Sequence, residues 1–136
     1  MATSGALHHL ELYVDDLEAS VGFWGWLLLE LGWECVLEWD EGCSYRWGDT
    51  TLVLVQAPEG ARPLDRRSAG LNHLAFRVDT EDEVERLTEN LRARGVRVLY
   101  EDRHPFAGGT DHYAVFCEDP DGLKVEVVAW EPGGMR

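Results

Sequence analysis

The sequence predicts an α+β fold built from two βαβββ modules, and three observations carry that reading. A short strand pattern occurs twice in the same order: His9-Leu10-Glu11-Leu12-Tyr13-Val14-Asp15 and His73-Leu74-Ala75-Phe76-Arg77-Val78-Asp79. A helical pattern follows each copy. Three short strand patterns follow each helix. Helices on one side of a largely antiparallel sheet give the α+β class. The 136 residues are read as a single domain, with module one at about 7–57 and module two at about 71–130. Residues 58–70 hold Pro, Gly and charge without periodicity and read as the linker.

Each module opens with an alternating strand, Leu7–Val14 or Leu71–Val78. The first helix is expected from about Asp16 to Leu31, with Asp15 or Asp16 as N-cap and Gly32 as its stop. Its apolar spacing runs through Leu17, Val21, Trp24, Leu28 and Leu31. The second helix starts at Thr80, where Glu83 completes a Thr-x-x-Glu capping box. Its stripe is Val84, Leu87 and Leu91, and Gly95 ends it. The remaining strands are expected at Glu34–Glu38, Cys43–Trp47 and Thr51–Gln56, then at Val96–Tyr100, His112–Cys117 and Leu123–Ala129.

Charge narrows the function. Twelve Lys and Arg stand against 26 Asp and Glu, for a formal net charge of −14. Such a surface repels phosphate backbones and anionic lipid, so nucleic acid and membrane are not expected partners; a cationic or neutral small molecule is. No run approaches the ~18 apolar residues of a membrane span, and the first residues lack a signal-peptide pattern. Three cysteines without a CxxC pair suggest reduced, mostly buried thiols and a cytoplasmic location.

Strand parity gives the candidate site. Successive side chains alternate between faces. With Leu10, Leu12 and Val14 toward the helix, His9, Glu11 and Tyr13 point away. With Leu74, Phe76 and Val78 toward the helix, His73, Ala75 and Arg77 point away. With Leu123, Val125 and Val127 toward it, Lys124, Glu126 and Val128 point away. His9, His73 and Glu126 therefore sit on helix-free faces, which line one concave cavity if the sheets curl toward each other. Each His alone is an ordinary strand residue; its recurrence at one place in two copies makes the pair a candidate. Two imidazoles and a carboxylate suit a divalent first-row metal with open positions.

The chain resembles the vicinal oxygen chelate superfamily, which includes glyoxalase I, extradiol dioxygenases and fosfomycin- and bleomycin-resistance proteins. The carrying stretches are His9-Leu-Glu-Leu-Tyr-Val-Asp-Asp-Leu-Glu-Ala-Ser, Leu71-Asn-His-Leu-Ala-Phe-Arg-Val-Asp and Glu118-Asp-Pro-Asp-Gly-Leu-Lys-Val-Glu-Val-Val. The resemblance implies an open, curved mixed sheet around a metal-binding cavity, with His9, His73 and Glu126 as ligands of Fe, Mn, Ni, Zn or Co. Aligning Asp49–Ala57 with Asp121–Ala129 puts the family's fourth ligand position on Leu54, which cannot bind metal. Gln56 shares its parity. Phe116 stands where the dioxygenases carry a Tyr.

Secondary candidates complete the site. His112 shares parity with Ala114 and Phe116 and is a candidate acid–base group, as is His104 in the long loop before it. Glu11, Arg77, Leu54, Gln56 and Phe116 are candidate substrate contacts. His8 is expected to be structural, Tyr113 and Trp24 to lie in the core, and Arg66-Arg67 to be a solvated turn. The function expected is a metal-dependent enzyme of the glyoxalase type, a lyase or isomerase that chelates a small oxygenated substrate. The alternatives are a non-catalytic drug-binding protein of the bleomycin type and an extradiol-type dioxygenase. A homodimer is expected.

Overall fold

The computed structural model describes residues 5–130. It contains two four-stranded mixed sheets and two helices, an α+β arrangement of two similar modules. Module one comprises β1 (His9–Val14), α1 (Leu17–Glu30), β2 (Glu34–Trp39), β3 (Gly42–Trp47) and β4 (Thr50–Gln56). Module two comprises β5 (His73–Val78), α2 (Glu81–Ala93), β6 (Val98–Leu99), β7 (Ala114–Glu118) and β8 (Lys124–Ala129). The sheet orders are β1-β4-β3-β2 and β5-β8-β7-β6, with a parallel first pair and antiparallel pairs after it. The chain divides into two compact units between Pro63 and Leu64.

Both helices start and stop for local reasons. The Asp16 side chain accepts from Ala19 N, and Thr80 and Glu83 form a reciprocal capping box. Each C-terminus closes by a Schellman motif. Trp33 N donates to Leu28 O at 2.9 Å and Gly32 N to Leu29 O at 3.1 Å, while Val96 N donates to Leu91 O and Gly95 N to Arg92 O, both at 3.0 Å. Gly32 and Gly95 supply the positive φ this needs, 89° and 75°.

Each helix covers one face of its own sheet: α1 packs on β4 and β2, and α2 on β8 and β7. The face of α1 that is buried is Ser20, Phe23, Trp24, Leu27 and Leu28, offset from the expected stripe. This helix is apolar on nearly every side, so spacing alone does not select its inner face. The α2 stripe of Val84, Leu87 and Leu91 is fully buried. Several strand ends differ from expectation, among them the start of β5, which is His73 rather than Leu71. Residues 7 and 8 precede β1. Val96 is used by the α2 cap and Tyr100 sits at φ 57°, which leaves β6 only two residues. The strand expected from His112 begins at Ala114, so His112 closes a loop instead.

Candidate functional site

Register settles which side chains share a face, because directly paired residues point the same way. In module two the middle row of the helix-free face reads Ala75, Glu126, Phe116, Leu99 across β5, β8, β7 and β6. The neighbouring rows are His73, Lys124, Glu118 and Arg77, Val128, Ala114. Leu99, Ala114 and Phe116 form an apolar cluster against which Tyr100, Ala107 and Val128 pack. That cluster is why Glu126 is only 4% exposed: β8 is an inner strand, and the carboxylate stands between occupied neighbours.

A buried carboxylate requires positive charge or hydrogen-bond donors. Among the described residues Glu126 has two imidazoles and no Arg or Lys. His112 Nε2 forms a short hydrogen bond with Oε2, and His73 Nε2 lies 3.2 Å from Oε1. The geometry of His73 can be followed one step further. Asn72 Nδ2 donates to Arg66 O at 3.1 Å, which turns Asn72 Oδ1 toward His73 Nδ1 at 2.7 Å. An amide oxygen only accepts, so Nδ1 carries the proton. In the neutral ring Nε2 then presents its lone pair to a carboxylate oxygen, an arrangement that calls for a shared proton or a cation. Orientation of a ligand imidazole by a hydrogen bond at its other nitrogen is characteristic of metal sites. His73 and Glu126 thus suit a divalent first-row cation. Among the described residues no group of three or more His, Cys, Asp or Glu that could hold a metal ion is found.

His112 is held from behind. A Cβ on Gly108 would lie 2.6 Å from His112 Cδ2, so this ring position needs a glycine in the loop. His104 points elsewhere. Its Nε2 lies 2.7 Å from Glu85 Oε1 on α2, and Tyr113 Oη donates to the same oxygen at 3.1 Å. Burial, then Glu85, raise the Tyr113 hydroxyl above its ordinary range. His104 and half-buried Tyr113 therefore tie the loop to the helix; Tyr113 is not a core residue. Phe116 lies on the same face as Glu126, with Tyr100 edge-on at 5.5 Å. Arg77 is exposed, its guanidinium 4.4 Å from the Trp130 ring centroid. Arg66 is not a solvated turn: Nη1 pairs with Glu118 at 2.5 Å and donates to Gly122 O at 2.9 Å.

Module one carries His9, Glu11 and Tyr13 on its helix-free face, all exposed. His9 Nδ1 lies 2.9 Å from Nδ1 of His8, which is itself exposed rather than packed. Two expectations are corrected. Leu54 pairs with Leu12, is fully buried and belongs to the helix side. The position matching Glu126 is Val53, because Glu11 pairs with Val53 as Ala75 pairs with Glu126. Gln56 also lies on the helix side and is spent on backbone. Its Oε1 accepts from Leu17 N at 2.9 Å, and its Nε2 donates to Asp15 O at 2.7 Å and Val14 O at 3.3 Å. Leu54 and Gln56 hold α1 against its sheet and are removed from the candidate ligand face. Asn72 and Gly108 were not anticipated; the adjacency of Asn72 to His73 was the one sequence hint.

A family model for the Glyoxalase/Bleomycin resistance protein/Dioxygenase superfamily matches residues 6–127. An uncharacterised Bacillus subtilis (strain 168) protein, YqjT, is 55% identical over 90% of this chain and 98% of its own. Glutathione transferase FosA from Serratia marcescens is 32% identical over 90% of this chain and 79% of its own. A crystal structure described as a candidate glyoxalase from Bacillus halodurans has 53% identity and a TM-score of 0.92, covering 93% of this chain and 97% of that one. Lactoylglutathione lyase from Agrobacterium tumefaciens has 26% identity and a TM-score of 0.69, covering 98% and 100%.

Proposed function

The chain belongs to the Glyoxalase/Bleomycin resistance protein/Dioxygenase superfamily, and from that premise we propose that it is a metal-dependent glyoxalase-like enzyme acting on a small oxygenated substrate. One observation carries the reading: a buried carboxylate, Glu126, faces the Nε2 of a histidine whose other nitrogen is fixed by Asn72. His73 and Glu126 would hold the metal; His9, in the other unit, is named a ligand by the family resemblance and not by this geometry. A bound divalent cation supplies a Lewis acid that stabilises negative charge on substrate oxygens. His112 moves the proton at Nε2, and Gly108 keeps the ring at that position. Phe116 and the cluster around it exclude water from one side of Glu126.

Metal analysis of protein purified without a His tag tests this. About one equivalent of Fe, Mn, Ni, Zn or Co retained or taken up is expected, and less than roughly a tenth of an equivalent sinks the reading. A non-catalytic binder of cationic aromatic drugs is the second reading. It is favoured by Tyr13 (63% exposed) and Trp39 (41% exposed) in one row of the helix-free face of module one. Quenching of Trp fluorescence by such a drug at micromolar concentration is its expected sign. The dioxygenase alternative is separated by oxygen uptake with catechols and Fe(II). The same exposed row, with Leu37, supports pairing of two chains. No helix among the described residues is long and apolar enough to cross a membrane.

A further inference from the structure

Lys124 is the only lysine in the sequence. It stands on the helix-free face of module two, two residues before Glu126 and in register with His73 on one side and Glu118 on the other. The carboxylate in register with it is already neutralised: Glu118 is paired with Arg66 at 2.5 Å and with Arg97 at 3.4 Å. Lys124 Nζ lies instead 5.7 Å from the Tyr100 ring centroid and 5.8 Å from that of Phe116. Among the described residues its ammonium makes no ion pair and no side-chain hydrogen bond. Arg77, on the far side of the Glu126 row, likewise has an aromatic ring and, among the described residues, no carboxylate as its partner.

These placements reverse locally what the net charge says globally. A formal charge of −14 favours cationic ligands for the molecule as a whole. The face bearing Glu126 has two cations without carboxylate partners among the described residues, about 7 Å to either side along the strands, from the ~3.3 Å rise per residue. Aromatic faces hold an ammonium in place without cancelling its charge. An ammonium kept uncancelled beside a site is what recognition of an anionic group needs.

We propose that Lys124 is the oxyanion-recognising residue of this face, and that the substrate carries a carboxylate, phosphonate or phosphate group which it binds. The proposal rests on the reading of the His73–Glu126 face as the substrate face. Arg77 adds to the field without being required for the contact.

A single lysine makes the test direct. Reductive methylation with 13C-formaldehyde labels Lys124 and the terminal amine while keeping their charge, and Lys124→Arg assigns the two NMR signals. Inorganic phosphate and acetate are titrated in metal-free protein at constant ionic strength, with acetamide as the uncharged control. The Lys124 signal is expected to shift saturably with the anions and not with acetamide, while the terminal signal stays put. Lys124→Met, with unchanged circular dichroism, is expected to weaken phosphate binding in calorimetry by roughly tenfold or more, and Lys124→Arg by no more than a few-fold. Non-saturating shifts shared by both amines, or unchanged phosphate affinity in Lys124→Met, overturn the proposal. Cobalt uptake by the same preparation is scored separately. Loss of the metal reading shows as no cobalt uptake, and loss of the anion reading as no response at Lys124.

Discussion

The two modules share topology and register, yet the same row of side chains is built differently in each. In module one it reads Glu11, Val53, Ser44, Leu37; in module two it reads Ala75, Glu126, Phe116, Leu99. Each row has one carboxylate. Glu11 sits on the edge strand β1 and is exposed, whereas Glu126 sits on the inner strand β8 and is buried. A carboxylate at an edge is solvated and needs no partner; the same group on an inner strand must find one. Moving the residue one strand inward turns a surface charge into a group that demands a cation or protonated imidazoles.

The largest expected effect tests the register on which this comparison stands. Leu54→Ala should destabilise the protein by about 2–5 kcal/mol, because a fully buried leucine leaves a cavity. Val53→Ala, at the half-buried position that matches Glu126, should cost clearly less in the same urea titration. Equal losses would return Leu54 to the helix-free face. Asn72→Ala comes next. It frees the His73 ring without touching a ligand and should weaken metal affinity by about 10–100-fold while leaving the melting temperature nearly unchanged. Unaltered affinity would remove the tautomer argument.

Gln56→Ala should cost about 1–2 kcal/mol, since it strips an acceptor from Leu17 N and a donor from three carbonyls. Metal uptake should not change, which separates a helix-side residue from a ligand-side one. The smallest effect at neutral pH concerns Cys117, buried on the helix side of β7. Burial pushes its thiol from an ordinary 9.0 up to about 12. The unfolded chain therefore releases this proton first as pH rises. The stabilisation is complete below pH 9 and is lost progressively toward pH 12. Cys117→Val should flatten that alkaline decline in chemical denaturation and leave the pH 7 value within about 1.5 kcal/mol.

Much of the fold was legible in the sequence because it is written in short-range chemistry. The Asp16 cap, the Thr80–Glu83 box, the stops at Gly32 and Gly95 and the alternation of β5 and β8 all act within a few residues. The face bearing His73, Lys124 and Glu126 followed from alternation alone. Leu54 was misplaced because the two last strands were aligned through turns of unequal build. Gly48-Asp49 joins Trp47 to Thr50 by two residues. The turn before β8 is longer and tied by Asp119, whose Oδ1 accepts from Asp121 N and Leu123 N. One residue of slip moves every side chain to the other face. The Gly108–His112 contact and the Arg66–Glu118 pair lie beyond local pattern: the first depends on a loop path and the second spans 52 positions.

The central claim is that the inner-strand carboxylate, and not the edge-strand one, holds a metal. Cobalt(II) titrated into untagged wild-type protein, Glu126→Gln and Glu11→Gln, followed by visible absorption, measures it directly. Near-stoichiometric uptake by wild type and Glu11→Gln, with uptake in Glu126→Gln weakened about a hundredfold or more, is the expected result. Equal uptake by Glu126→Gln and wild type would contradict it.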